Sequence, residues 1–131
     1  MGYRWVEHTS EAELEVEGES PADVLAEATI AFGDLLADAP RLEEVEVEVR
    51  ASADDLPSLL AEWLGELAYL AETDGFISER AVRMDLAGAS AEALVAGHRS
   101  EPQSLVKGVT YHRLEMAPTD GIWRARAVLD V

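Results

Sequence analysis

The sequence predicts an α+β fold: two helices packed on a mainly antiparallel β-sheet, in the order ββαβαββββ. Three observations carry this. Apolar residues alternate with polar ones at period two over most of the chain. Only two stretches, after Pro21 and after Pro57, switch to helical spacing. The segments are joined by short Gly, Pro, Ser and Asp clusters of the kind that make turns. The 131 residues show no repeat, low-complexity tract or linker, and are expected to form one domain spanning 1–131.

Tyr3–Glu7 reads as the first strand and Ala12–Glu17 as the second. In the latter, Ala12, Leu14 and Val16 alternate with Glu13, Glu15 and Glu17, which are expected to form a solvated face. Gly18 breaks the alternation. Ser20-Pro21 then supplies a hydroxyl N-cap and a proline at the first helical position, with Asp23 in the first turn. Val24, Leu25, Ala28, Phe32, Leu35 and Leu36 make one apolar face that runs to about Asp38, where Ala39-Pro40 ends the helix. Glu44–Ala51 alternates valines with acids as a half-buried strand. Asp54-Asp55-Leu56-Pro57 opens a second helix, whose stripe of Leu59, Leu60, Trp63, Leu64, Leu67 and Leu70 is wide enough to pack on a sheet. Thr73-Asp74-Gly75 closes it. The remainder reads as strands over Arg80–Leu86, Ala93–His98, Leu105–Ala117 and Gly121–Val131. Asp85–Ser90 and Gly97–Arg99 read as hairpin turns.

Charge is the unusual feature. Twenty-seven acids face ten bases, a net charge of −17. Residues 1–79 hold 21 acids and 3 bases, and residues 80–131 hold 6 and 7. Such a field repels nucleic acid and anionic membrane, so direct binding to either is not expected; it favours cations or a basic partner surface. The plainer reading is a hydrated, solubilising surface. The absence of cysteine excludes disulfides and thiolate metal sites. No signal peptide or membrane-spanning run is visible, so a cytoplasmic protein is expected, monomeric or weakly self-associating.

No phosphate-binding loop, dinucleotide fingerprint, zinc spacing or nucleophile elbow is present. His8, His98 and His112 each read first as structural residues. Three acids stand in less ordinary places. Glu11 sits where the chain turns after the first strand. Asp38 lies at the C-terminal end of the first helix, where the macrodipole disfavours an acid. Asp130 is set in an apolar strand end. Carboxylates so placed often have a partner, and oxygen ligands suit Mg²⁺, Ca²⁺ or Mn²⁺. Lys107 is the only lysine, and in the alternating segment Leu105–His112 it is placed on one face with Val109 and Tyr111. Such a residue could anchor a phosphate or a neighbouring carboxylate.

Several segments, taken in order, resemble the archease family. They are His8-Thr9-x-acid, the helix ending Leu35-Leu36-x-Asp38, and Leu59-Leu60-x-x-Trp63-Leu64-x-Glu66-Leu67-x-Tyr69-Leu70. Val106-Lys107-x-Val109-Thr110-Tyr111-His112 and Val128-Leu129-Asp130-Val131 complete the set. The resemblance implies a protein cofactor of an RtcB-type RNA ligase in tRNA splicing and RNA repair, promoting guanylylation of the ligase and its turnover. GTP and divalent metal would belong to the ligase reaction. It also implies a metal-binding cluster that falls here on Glu11, Asp38 and Asp130, with Lys107 and His8 as cofactor-contacting positions. One departure is visible: the family's His-Thr-Ala-Asp reads His8-Thr9-Ser10-Glu11, adding a methylene and about 1.5 Å of reach. The alternative function is an acidic chaperone-like or protein-interaction module with no metal-dependent activity. A metal-dependent hydrolase is disfavoured by the lack of a recognisable nucleophile or base.

Overall fold

The computed structural model describes all residues 1–131. Its elements are β1 (Gly2–His8), β2 (Glu11–Gly18), α1 (Pro21–Leu35), β3 (Glu43–Ser52), α2 (Leu56–Asp74), β4 (Phe76–Ala87), β5 (Ser90–Arg99), β6 (Gly108–Thr119) and β7 (Ile122–Asp130). The predicted order ββαβαββββ and the α+β class are both found. The strands divide into two antiparallel sheets, one of four strands in the order β1-β2-β7-β6 and one of three in the order β3-β5-β4.

Both helices begin as the sequence dictates. Ser20 Oγ accepts from Asp23 N at 3.2 Å, and Asp55 Oδ1 accepts from Ser58 N at 2.8 Å, each satisfying an otherwise orphaned donor. The first helix stops at Leu35, with residues 36–38 in a turn, so Asp38 stands beyond the helix rather than inside it. The second ends on Gly75 at φ 66, in the left-handed region. A Cβ at Gly75 would also collide with Ser100 O, and the chain enters β4 directly after it through the buried Phe76 and Ile77. That strand start lies four residues ahead of the sequence expectation.

Both helices touch both sheets, and 25 buried residues form one cluster between them. Two indole donors tie the layers together. Trp63 Nε1 donates to Thr29 Oγ1 at 2.9 Å, joining α2 to α1, and Trp5 Nε1 donates to Ala31 O at 3.0 Å, joining β1 to α1. At Gly33 and Ser78 the backbones of α1 and β4 approach so closely that a Cβ on Gly33 would overlap Ser78 O. Segment Gly97–Arg99 lies inside β5 and is not a hairpin turn. Gly97 is there because Ile77 O occupies the space a side chain would need. The turn joining β4 to β5 is Gly88-Ala89, with Gly88 at φ 60.

Candidate functional site

Cross-strand register places the chemistry-bearing residues in rows on the outer face of the four-stranded sheet. Ala12, Leu14 and Val16 of β2 and Ala125, Ala127 and Leu129 of β7 point into the core, so the intervening residues point outward. Running along the strands, Gly2, Glu17, Arg124 and Ala117 form one row; Arg4, Glu15, Arg126 and Glu115 form the next. Val6, Glu13, Val128 and Thr110 follow, and His8, Glu11, Asp130 and Gly108 form the last.

The acids of the first three rows are neutralised by arginine. Arg124 Nε lies 3.6 Å from Glu17, Arg4 Nη2 2.6 Å from Glu15, and Arg126 Nη1 3.7 Å from Glu115. Glu13 receives Arg113 Nη1 at 2.7 Å and Arg126 Nε at 3.5 Å, with His8 Nε2 at 3.9 Å. The last row has no arginine. Glu11 and Asp130 stand directly opposite one another, and neither makes an ion pair or a side-chain hydrogen bond. Like charges in directly opposed positions are destabilising, since their Cβ atoms are only about 4.5–5.5 Å apart.

The backbone around this row is tightly fixed. The β1–β2 turn is two residues long, with Ser10 at φ 65. Val131 N donates to Ser10 O at 3.1 Å, and Lys107 N donates to Asp130 O at 2.7 Å. Asp38 follows α1, which starts beside Gly18 and passes Trp5 at Ala31. Asp38 is exposed and has no ion-pair partner.

The donor chemistry of Glu11, Asp38 and Asp130 fits a hard divalent cation: anionic oxygens only, unshared with arginine. Glu11 and Asp130 are paired, but no three His, Cys, Asp or Glu side chains converge closely enough to hold a metal ion. Two clefts of about 530 and 630 Å³ lie along other rows and on the second sheet, and contain none of the three acids. This end of the molecule therefore presents carboxylates on an open surface, not in an enclosed pocket.

The structure corrects two of the sequence readings here. Glu13 is not part of a solvated face: it is only 3% exposed, because the β6 bulge swings Arg113 over it. The bulge appears in the register, which jumps from Thr110↔Val128 to Glu115↔Arg126, and Arg113 sits at φ 60 within it. Lys107 precedes β6, which starts at Gly108, and is exposed, whereas Val109 packs on the core; the two do not share a face. His8 lies in the last row, about half exposed and opposite Glu11. His98 is buried at 4% exposure and faces Glu79, with Nδ1 3.6 Å from Oε1. Hydrogen bonding from Arg41 holds the Glu79 carboxyl below its ordinary pKa, with His98 adding to the effect. Sequence reading missed Glu13, Arg113, Arg41 and Glu79, since each pairing joins residues 38 or 100 positions apart.

Comparison with known proteins places these observations in a family. The model of the archease protein family (MTH1598/TM1083) matches residues 3–131. The archease of Methanosarcina mazei is 33% identical over 98% of this chain and 95% of its own, and that of Methanopyrus kandleri 34% identical over the whole of both. Among solved structures, the solution structure of Methanobacterium thermoautotrophicum protein 1598 superposes with a TM-score of 0.69 at 26% identity, covering 99% of each chain. A Thermotoga maritima archease, described as a possible chaperone, shares the fold with a TM-score of 0.67 at 18% identity, over 96% of this chain and 94% of its own.

Proposed function

The chain belongs to the archease family, and on that premise we propose that it is a protein cofactor of an RtcB-type RNA ligase. In this reading it is not itself an enzyme. It promotes guanylylation of the ligase and its repeated turnover, in the cytoplasm, during tRNA splicing or RNA repair. Glu11, Asp38 and Asp130 would hold a divalent cation, Mg²⁺, Ca²⁺ or Mn²⁺, with His8 and Lys107 at its rim. When bound, such an ion supplies positive charge for phosphate oxygens. GTP belongs to the ligase.

One observation carries the reading. On a sheet face where the acids of every other row are met by arginine, from the same row or a neighbouring one, Glu11 and Asp130 oppose each other with none. A cation between them would remove the repulsion that this pairing otherwise imposes. The open setting suits delivery to a partner, and the acid-rich first half of the chain suits docking on a basic ligase surface. The test is a guanylylation assay of the cognate ligase with and without this protein. Acceleration by the wild type and none by Asp130→Ala is expected. Equal rates in all three reactions would overturn the proposal.

A second reading is favoured by the lack of three convergent ligands: an acidic chaperone-like or interaction module that needs no metal. Calorimetric titration with Ca²⁺, Mg²⁺ and Mn²⁺ separates the two. The second reading requires that no binding is lost on Asp130→Ala.

A further inference from the structure

The solvent face of α2 is unlike the outer faces of the sheets. Glu62, Gly65, Glu66 and Tyr69 recur at helical spacing and form one stripe about 10 Å long. The helix contains no Lys, Arg or His. Glu62, Glu66 and Glu72 make no ion pair, whereas Glu13, Glu15 and Glu17 on one sheet and Glu48 and Glu92 on the other are each met by arginine. Four residues apart, Glu62 and Glu66 repel one another on the helix surface.

Two tyrosines stand out into solvent along this stripe. Tyr69 lies within it and Tyr111 beside it, each 60% exposed. The β6 bulge carries Tyr111 to α2, where its hydroxyl lies 3.4 Å from Glu62 Oε1. There it lines, with Asp54, Ser58 and Glu62, an acidic cleft of about 250 Å³. Between the two rings the helix backbone is bare. Gly33 of α1 is required by the approach of Ser78 O, but a Cβ on Gly65 would meet nothing within 4 Å. A glycine inside a helix is destabilising relative to alanine, and nothing in this chain's own packing requires one at 65.

We propose that this face of α2, from Glu62 to Tyr69 with Tyr111 beside it, docks an arginine-bearing segment of a basic protein partner. It does not depend on a cation at Glu11 and Asp130, and rests on the ligase-cofactor reading only for which protein carries the segment. A guanidinium stacks flat on a tyrosine ring while its edge donates to a carboxylate, which an ammonium cannot do. The gap over Gly65 lets the partner's chain approach the helix closely. Unneutralised carboxylates repel RNA phosphates, and a second copy of this chain brings the same charges to the same face.

The test sets stability against binding. Gly65→Ala is expected to raise Tm by about 2–5 °C, since it only improves the helix. The same methyl group fills the gap and is expected to weaken binding about tenfold. The probe is a tri-arginine peptide titrated into the isotope-labelled whole protein, with backbone amide shifts followed by NMR. Saturable shifts are expected at Glu62, Gly65, Glu66, Tyr69 and Tyr111, weaker with tri-lysine at equal ionic strength. Tyr69→Ala and Glu66→Gln are expected to weaken binding. Glu46→Gln, which removes an equal charge from an exposed, unpaired acid of β3, is expected to leave it unchanged. Shifts spread over all acidic surfaces, equal binding of tri-lysine, or wild-type affinity in Gly65→Ala overturns the docking face. In the guanylylation assay, Gly65→Ala is expected to need more protein for the same acceleration. If the wild type neither binds nor accelerates the ligase while tri-arginine still selects this face, the ligase-cofactor reading falls and the docking face stands.

Discussion

Replacing Glu13 by alanine tests the most consequential difference between the alternating sequence pattern and the folded sheet. The pattern makes Glu13 equivalent to Glu15, another acid on the same strand face. The structure makes them unlike. Glu13's side chain is 4% exposed and receives Arg113 Nη1 at 2.7 Å and Arg126 Nε at 3.5 Å. Glu15, whose side chain is 32% exposed, meets Arg4, itself 69% exposed. Breaking a fully buried pair costs about 3–5 kcal/mol, because the charge left behind stays desolvated. Here Arg113 and Arg126 retain 45% and 30% exposure and rehydrate in part, which lowers the figure. What remains is one charge-assisted hydrogen bond, about 1.5–3 kcal/mol, and one buried methylene, about 0.8 kcal/mol, less the recovered desolvation of the carboxylate. The net expectation is a loss of about 2–3 kcal/mol. For a chain of this length that is a fall in Tm of about 6–15 °C. Glu15→Ala is expected to cost under about 1 kcal/mol, as an exposed pair does. Urea unfolding followed by circular dichroism measures both, with midpoint changes converted through the slope. Equal losses below about 0.5 kcal/mol in the two variants would refute the reasoning and restore the solvated face.

Two other outcomes follow from the same coordinates. Gly33→Ala is expected to cost about 3 kcal/mol, since the new Cβ overlaps the Ser78 carbonyl and α1 must lift from β4; a Tm within about 2 °C of wild type would show the contact to be slack. On the acid side, hydrogen bonding from Ser58 lowers the pKa of Asp55 below 3.8, and Arg41 lowers that of Glu79 below 4.5. Carboxyls depressed in the folded state stabilise it above those ordinary values and lose that contribution as pH falls through the folded-state pKa. Urea midpoints of Asp55→Ala combined with Glu79→Gln should therefore fall less steeply than wild type as pH drops below 4.5; parallel acid arms would count against both assignments.

Periodicity and end signals carried the reading of the elements well, because they are written in neighbouring residues. Ser20-Pro21, Asp55 and Gly75 each act locally, through a hydrogen bond or a backbone angle within one turn of the chain. Where elements met others, the local signals gave out. The start of β4 at Phe76 was hidden because an apolar run directly after a helix has no period to distinguish it. Gly97 looked like a turn residue, though it is required by the approach of Ile77 O across the sheet.

By itself, then, the sequence determined the α+β order, the two capped helices, the acidic first half and the candidacy of Glu11, Asp38 and Asp130. The first three are consequences of residue type and short spacing; the three acids stand out by their places in the elements, and only the family resemblance joins them as a set. The tertiary structure decided which acids keep company. Register set Glu11 against Asp130, gave Glu13 two arginines from β6 and β7, and tied the segment holding Asp38 to a bulge in β4. These are choices of strand pairing, and a shift of one residue would send every such side chain to the other face. No local pattern encodes that outcome, because the burial of one shared core fixes it for all strands together.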